Sequence, residues 1–133
     1  MGEILARRSE NFSALKDGFA GLAGVRVLDA NSARAESAHY CLTIVLEGAL
    51  AALRDEIAAR VNEAGVGTSL YYPQPVPRMR YYREKYGYEP RRFPEAESIS
   101  DRGIALPVGP HLTREDTDYI ARVVERVLGE ARA

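Results

Sequence analysis

The sequence predicts an α+β domain, a small and mainly antiparallel sheet of about three to four strands covered by about four to five helices. Three observations carry that expectation. Apolar residues recur at helical spacing near both ends of the chain, and β-branched apolar runs lie between them. A chain of 133 residues with 46% hydrophobic content has room for one core and not two, so residues 1–133 are read as a single domain.

From about Arg8 onward, Phe12, Leu15, Phe19 and Leu22 form one apolar stripe, the face of an amphipathic helix that Gly21 or Gly24 would end. Val25 to Leu28 reads as a short strand, and the polar stretch from Asp29 to Ser37 as a loop. Ala38 to Glu47 is β-branched and apolar along its centre, the pattern of a strand buried on both faces, and Gly48 closes it. Leu50, Leu53, Ile57 and Val61 mark a second amphipathic helix, with Gly65 placed to supply the left-handed residue after it. Val66 to Tyr72 reads as a strand, as does the short run Ile104 to Leu106. Thr113 and Asp116 stand at capping-box spacing before a last helix whose apolar face is Ile120, Val123, Val124, Val127 and Leu128.

Composition narrows the chemistry. A formal charge of -1 and a pI near 6.1 exert no global pull on nucleic acid or an anionic membrane, so anion binding would need a local patch. The N-terminal residues lack the apolar core of a signal peptide and no stretch has the length of a membrane span, so a cytoplasmic protein is expected. Cys41, the single cysteine, sits in an apolar run that suits a small buried thiol. His39 and His111 are far apart and have one cysteine to help, so no metal is assigned. No Gly-x-Ser-x-Gly elbow and no Gly-rich loop followed by Lys-Ser/Thr occurs, which removes the serine-hydrolase and P-loop readings. Glu95 and Glu97, behind Pro94, are placed to open a helix and complement its dipole. The two lysines, Lys16 and Lys85, lie on an amphipathic helix and in a polar segment, neither of which resembles a dry pocket for a covalent cofactor.

The local patch runs from Tyr71 to Phe93. Tyr71, Tyr72, Tyr81, Tyr82, Tyr86 and Tyr88 are interleaved there with Arg78, Arg80, Arg83, Lys85, Arg91 and Arg92, and with four prolines. Arginine forks match phosphate oxygens and tyrosine rings offer flat faces to a base or sugar, so the mixture suits a nucleotide or phosphosugar. It would also suit single-stranded nucleic acid, the weaker option. Equally, Arg78 to Lys85 can be a solvated helix with Tyr82 and Tyr86 packed inward at i,i+4.

Several further blocks stand in a fixed order. They are the arginine-led helix Arg8 to Leu15, the strand Ala38-His39-Tyr40-Cys41-Leu42-Thr43-Ile44-Val45, and the helix from Arg54 that ends at Gly65-Val66-Gly67-Thr68. Leu70-Tyr71-Tyr72-Pro73-Gln74-Pro75-Val76-Pro77, Phe93-Pro94-Glu95-Ala96-Glu97 and Ala105-Leu106-Pro107 through Thr113 follow. Together they resemble the C-terminal portion of the DegT/DnrJ/StrS family of PLP-dependent nucleotide-sugar aminotransferases, over nearly the whole chain. Tyr71 and Pro77 replace two histidines usual in the family's His-Tyr-Pro segment, so a polar role at those positions is not carried over; Tyr72, Pro73 and Pro75 match.

The resemblance implies a small domain that packs against a large PLP-binding domain, in cis or as a separate chain, and helps wall the nucleotide-sugar site. PLP belongs to the full-length family, and this chain alone is expected to bind no cofactor, carry no catalytic residue and transfer no amino group. Tyr71, Tyr72, Arg78, Arg80, Tyr81 and Tyr82 are the candidate substrate-binding residues. The apolar stripe of the first helix is the candidate docking face, and left bare it would drive homo-oligomer formation. The alternative is a stand-alone module that binds a nucleotide sugar or other anionic ligand through residues 71–92.

Overall fold

A computed structural model describes residues 1–133. In chain order the elements are α1 (Gly2–Gly18), β1 (Val25–Leu28), β2 (Cys41–Leu46), a 3-10 turn (Gly48–Leu53), α2 (Arg54–Glu63), a second 3-10 turn (Val76–Arg78), α3 (Arg80–Tyr86), α4 (Pro94–Arg102), β3 (Gly103–Pro107) and α5 (Arg114–Arg132). The three strands form one antiparallel sheet in the order β1-β2-β3, with Val25 opposite Leu46 and Thr43 opposite Ala105. The expected α+β class is what the chain adopts.

Strand alternation decides what each face meets. Leu42, Ile44 and Leu46 of β2 and Ile104 and Leu106 of β3 point into the main core, where Phe12, Leu15 and Phe19 of α1, Ile57 and Val61 of α2, and Val124 and Leu128 of α5 meet them. The opposite face of β2 and β3 is covered by α4, and Val45 is buried there too. The second cover is partial, since Cys41 and Thr43 on that face are half-buried. Gly103 is required at the α4–β3 junction, because a Cβ there would lie 2.5 Å from the Ile99 carbonyl oxygen and 3.4 Å from Thr43 Cγ2. At the other end, Thr113 accepts from the Asp116 amide and the Asp116 carboxylate accepts from the Thr113 amide at 2.8 Å, completing the capping box of α5.

Three expectations need correction. The stripe of the first helix is not a bare docking face, because Phe12, Leu15 and Phe19 are buried in the chain's own core. Helix α5 supplies the partner stripe, and Gly18 lets the two helices close to where a Cβ would stand 3.0 Å from Ala121 Cβ. The same helix starts at Gly2, not near Arg8, since Glu3 to Ala6 are good helix formers; Leu5, seven residues before Phe12, continues the stripe but is exposed. The strand expected over Val66 to Tyr72 is reduced to one bridge, in which Ser69 and Ala105 exchange amide-to-carbonyl hydrogen bonds of 3.0 and 2.8 Å. Prolines at 73 and 75 offer no N–H to extend that ladder.

Candidate functional site

The ends of four segments leave a cleft of about 340 Å³ at the β3 side of the sheet. Arg8 comes from α1, Tyr40 from the entry to β2, Ser69 and Tyr71 from the bridged segment, and His111 from the turn after β3. His39 has a positive φ of 45°, a region that side chains other than Gly adopt uncommonly, and the kink sends two consecutive rings to opposite sides. His39 turns inward, 6% exposed and 4.3 Å from the Phe12 ring, while Tyr40 turns outward and is 68% exposed.

Tyr40 then forms the hub of the cleft. The Arg8 guanidinium carbon lies 5.9 Å from its ring centroid, and the Tyr71 ring centroid lies 6.1 Å away. Interaction with Tyr71, chiefly hydrogen bonding and then charge repulsion between the phenols, holds the Tyr40 hydroxyl above its ordinary pKa. The turn that carries His111 is tied to α1, since Asn11 donates to the Gly109 carbonyl at 2.8 Å and Arg7 to that of Leu112 at 2.9 Å. The imidazole of His111 folds back over Gly109, close enough that a Cβ at 109 would sit 2.5 Å from its Cε1.

Of the expected binding residues, Tyr71 enters the cleft, and Tyr72 is attached to α4 through a hydrogen bond of 2.7 Å from the Ser100 hydroxyl to its carbonyl. Arg78 grips Asp101 with both terminal nitrogens, at 2.7 and 2.9 Å, and reaches Glu97 at 3.4 Å. Those hydrogen bonds, from Arg78 first, lower the Asp101 pKa. On α3, Arg80 pairs with Glu84 at 2.7 Å, Tyr81 is exposed, and Tyr82 is half-buried. Tyr81, Tyr82, Tyr86, Tyr88 and Phe93 form an unbroken chain of ring contacts between 5.2 and 6.3 Å. Lys85 caps the rings of Tyr81 and Tyr86, and Arg92 that of Tyr88.

Sequence reasoning about binding residues passed over Arg8, Tyr40 and His111. Arg8 and Tyr40 stood in quoted blocks, but they are 32 positions apart and only the fold brings them together. Neither lysine sits in a closed pocket. Lys16 pairs with Asp29 at 2.5 Å, with 48% of its side chain exposed, and Lys85 lies exposed over the tyrosines of α3. Nothing in this chain therefore fits a covalently held aldehyde cofactor, which needs an amine shielded from water.

A family model for the DegT/DnrJ/EryC1/StrS aminotransferases matches residues 1–125. A dTDP-3-amino-3,4,6-trideoxy-alpha-D-glucose transaminase of Streptomyces venezuelae is 30% identical over 125 residues, 91% of this chain and 31% of that protein. Among solved structures, the aminotransferase TlmJ of Streptoalloteichus hindustanus superposes with a TM-score of 0.83 at 23% identity, covering 100% of this chain and 34% of its own. A candidate sugar aminotransferase of Streptococcus pneumoniae, in its PLP form, gives a TM-score of 0.82 at 26% identity over 96% of this chain and 32% of its own. The chain thus spans about a third of the length of these proteins. No helix is long and apolar enough to cross a membrane.

Proposed function

The chain belongs to the DegT/DnrJ/EryC1/StrS aminotransferase family, and from that membership we propose that it is the C-terminal small domain of a PLP-dependent nucleotide-sugar aminotransferase of the cytoplasm. In this reading a large domain, in cis or as a separate chain, supplies the lysine and the groups that hold PLP. Residues 1–133 form one packing unit that contributes part of the substrate wall and reacts with nothing by itself.

One observation carries the reading. Of this chain, 96% superposes on 32% of a candidate sugar aminotransferase in its PLP form, at 26% identity and a TM-score of 0.82. The lysines support it, because Lys16 is committed to Asp29 and Lys85 to the tyrosines of α3. Tyr71 lines the cleft, and in this reading Tyr72, Arg80, Tyr81 and Tyr82 belong to the same substrate wall. Arg78 serves that wall by bracing it, since its guanidinium fork is filled by Asp101 and Glu97.

The test incubates the purified chain with PLP, treats it with borohydride and maps any modified lysine by mass spectrometry. A parallel assay follows amino transfer from glutamate to a nucleotide keto-sugar. The expected results are no site-specific adduct at Lys16 or Lys85 and no transfer without a second component. Amino transfer by this chain alone would overturn the proposal.

A further inference from the structure

Helix α3 stands apart from the rest of the molecule. None of its residues is buried, and the element it chiefly packs on is the 3-10 turn just before it, not the core. Seven residues are too few to hold a helix in water without a partner. Ties outside the core must therefore keep residues 79–92 in place.

Glu97, in the first turn of α4, supplies them at both ends. Its Oε1 accepts from the Arg91 amide at 3.0 Å and its Oε2 from Arg78 Nη2 at 3.4 Å, so one carboxylate joins the two positions that flank α3. Arg91 stands at φ 64°, a region uncommon for residues other than Gly, and the hydrogen bond to Glu97 offsets that cost. With 22% of its side chain exposed, Glu97 is the most sheltered acid among the ion pairs of the molecule. Between the ties the segment coheres through its own rings. Tyr82, Tyr86, Tyr88 and Phe93 follow one another at 6.3, 5.5 and 5.2 Å, from α3 back to the residue before α4. The upstream root is fixed to the same helix, since the Ser100 hydroxyl donates to the Tyr72 carbonyl at 2.7 Å.

We infer that residues 79–92 form a hinged arm, a unit that opens while the core stays folded, and that Glu97 is the positioning residue that clasps it shut. Asp101 holds only the Arg78 end, so Glu97 alone bridges the two. Once the clasp is open, α3 has nothing to hold it and unravels. The arm carries Arg80, Tyr81 and Tyr82, which makes that section of the proposed substrate wall a gate, present when clasped and withdrawn when a ligand passes. The gating rests on the proposed function, whereas the opening is a property of this chain by itself.

Native-state hydrogen exchange of the 133-residue chain, read by NMR, tests the arm and its clasp. The amides of Arg83 and Gly87, bonded to the Met79 and Arg83 carbonyls, report on α3, and that of Arg91 on the clasp. Ile44 and Leu128 report on the core. The three arm amides should share one protection factor, at least about 100-fold below that of the core. Glu97→Ala should speed all three about ten-fold, through the loss of two bonds to a charged acceptor. Ile44 and Leu128 should exchange as they do in Glu95→Ala, because Glu95 lies in the same first turn of α4 and makes no bond to the arm. In Glu97→Gln an amide oxygen still accepts from Arg91, so its arm rates should fall between those of Glu97→Ala and the parent. Arm amides that exchange only together with the core, or at unrelated rates, would overturn the hinged unit. Arm rates equal in Glu97→Ala and Glu95→Ala would overturn the clasp, and if Glu97→Ala does not fold, Glu97→Gln against Glu95→Gln decides the point. PLP trapping at the lysines is independent of these rates, so the two proposals fail separately.

Discussion

Asn11 Nδ2 lies 2.8 Å from the carbonyl oxygen of Gly109, a bond that ties the first helix to a turn 98 positions away. Asn11 is 4% exposed, and a second contact of 3.4 Å reaches the Leu112 carbonyl. The amide therefore satisfies the backbone of the turn that puts His111 on the rim of the cleft.

Asn11→Ala removes one of two donors to the Gly109 carbonyl, which keeps the Leu112 amide at 3.1 Å, and the lost hydrogen bond costs about 0.5–1.5 kcal/mol. Urea denaturation should show the loss as a lower midpoint at unchanged slope. The His111 ring resonances should shift in the same variant. An intact midpoint would mean that water replaces the amide at Gly109 without cost.

The two glycines at 103 and 67 make a matched comparison. A methyl group at Gly103 would press on the Ile99 backbone carbonyl at 2.5 Å, and neither the α4 terminus nor β3 can retreat without opening the core. Gly103→Ala should cost about 1–3 kcal/mol or more by overpacking. At Gly67 nothing lies within 4 Å of the added Cβ, so Gly67→Ala should change stability by less than about 0.5 kcal/mol. Equal effects at the two positions would contradict the close approach of α4 to the sheet.

The difference between those glycines marks where sequence reading works and where it stops. Periodicity exposed α1, α2 and α5 and the run that became β2, because each buries a stripe or a face that repeats along the chain. It could not say what the α1 stripe packs on, and α5 proved to be the answer, a partner about 100 positions on. Val66 to Tyr72 looked like a strand from residue type alone, but only Ser69 finds a partner. The cleft was the least legible part. Arg8, Tyr40, Tyr71 and His111 share no spacing, and the kink at His39 that turns Tyr40 outward depends on tertiary contacts of its own ring.

Acid should destabilise the fold in a defined window. Hydrogen bonds hold three carboxyls below the ordinary aspartate pKa: Asp116, through the Thr113 amide and then its hydroxyl, Asp101, through Arg78, and Asp29, through Lys16. A carboxylate with a depressed folded-state pKa contributes stability that is complete above its unfolded value and is lost as pH falls through its folded value. Urea midpoints should thus be level from neutrality down to about pH 5 and decline below about pH 4. In Asp116→Asn the decline should be shallower and the neutral-pH midpoint lower. A midpoint that rises on acidification would contradict the native pairing of these acids.

The pair between Arg78 and Asp101 provides the sharpest energetic comparison. Its geometry is bidentate, at 2.7 and 2.9 Å, which favours strong coupling. Its side chains remain 38% and 43% exposed, however, so solvent screens the charges and most of the attraction is offset by desolvation and lost rotamer freedom. A double-mutant cycle with Arg78→Gln and Asp101→Asn should therefore give a coupling energy below about 1 kcal/mol. Glu97, at 3.4 Å from the same guanidinium, should partly take over in Asp101→Asn, making that single variant milder than Arg78→Gln. A coupling above about 2 kcal/mol would mean that the loop holding Tyr72 shields this pair from water far more than its exposed edges indicate.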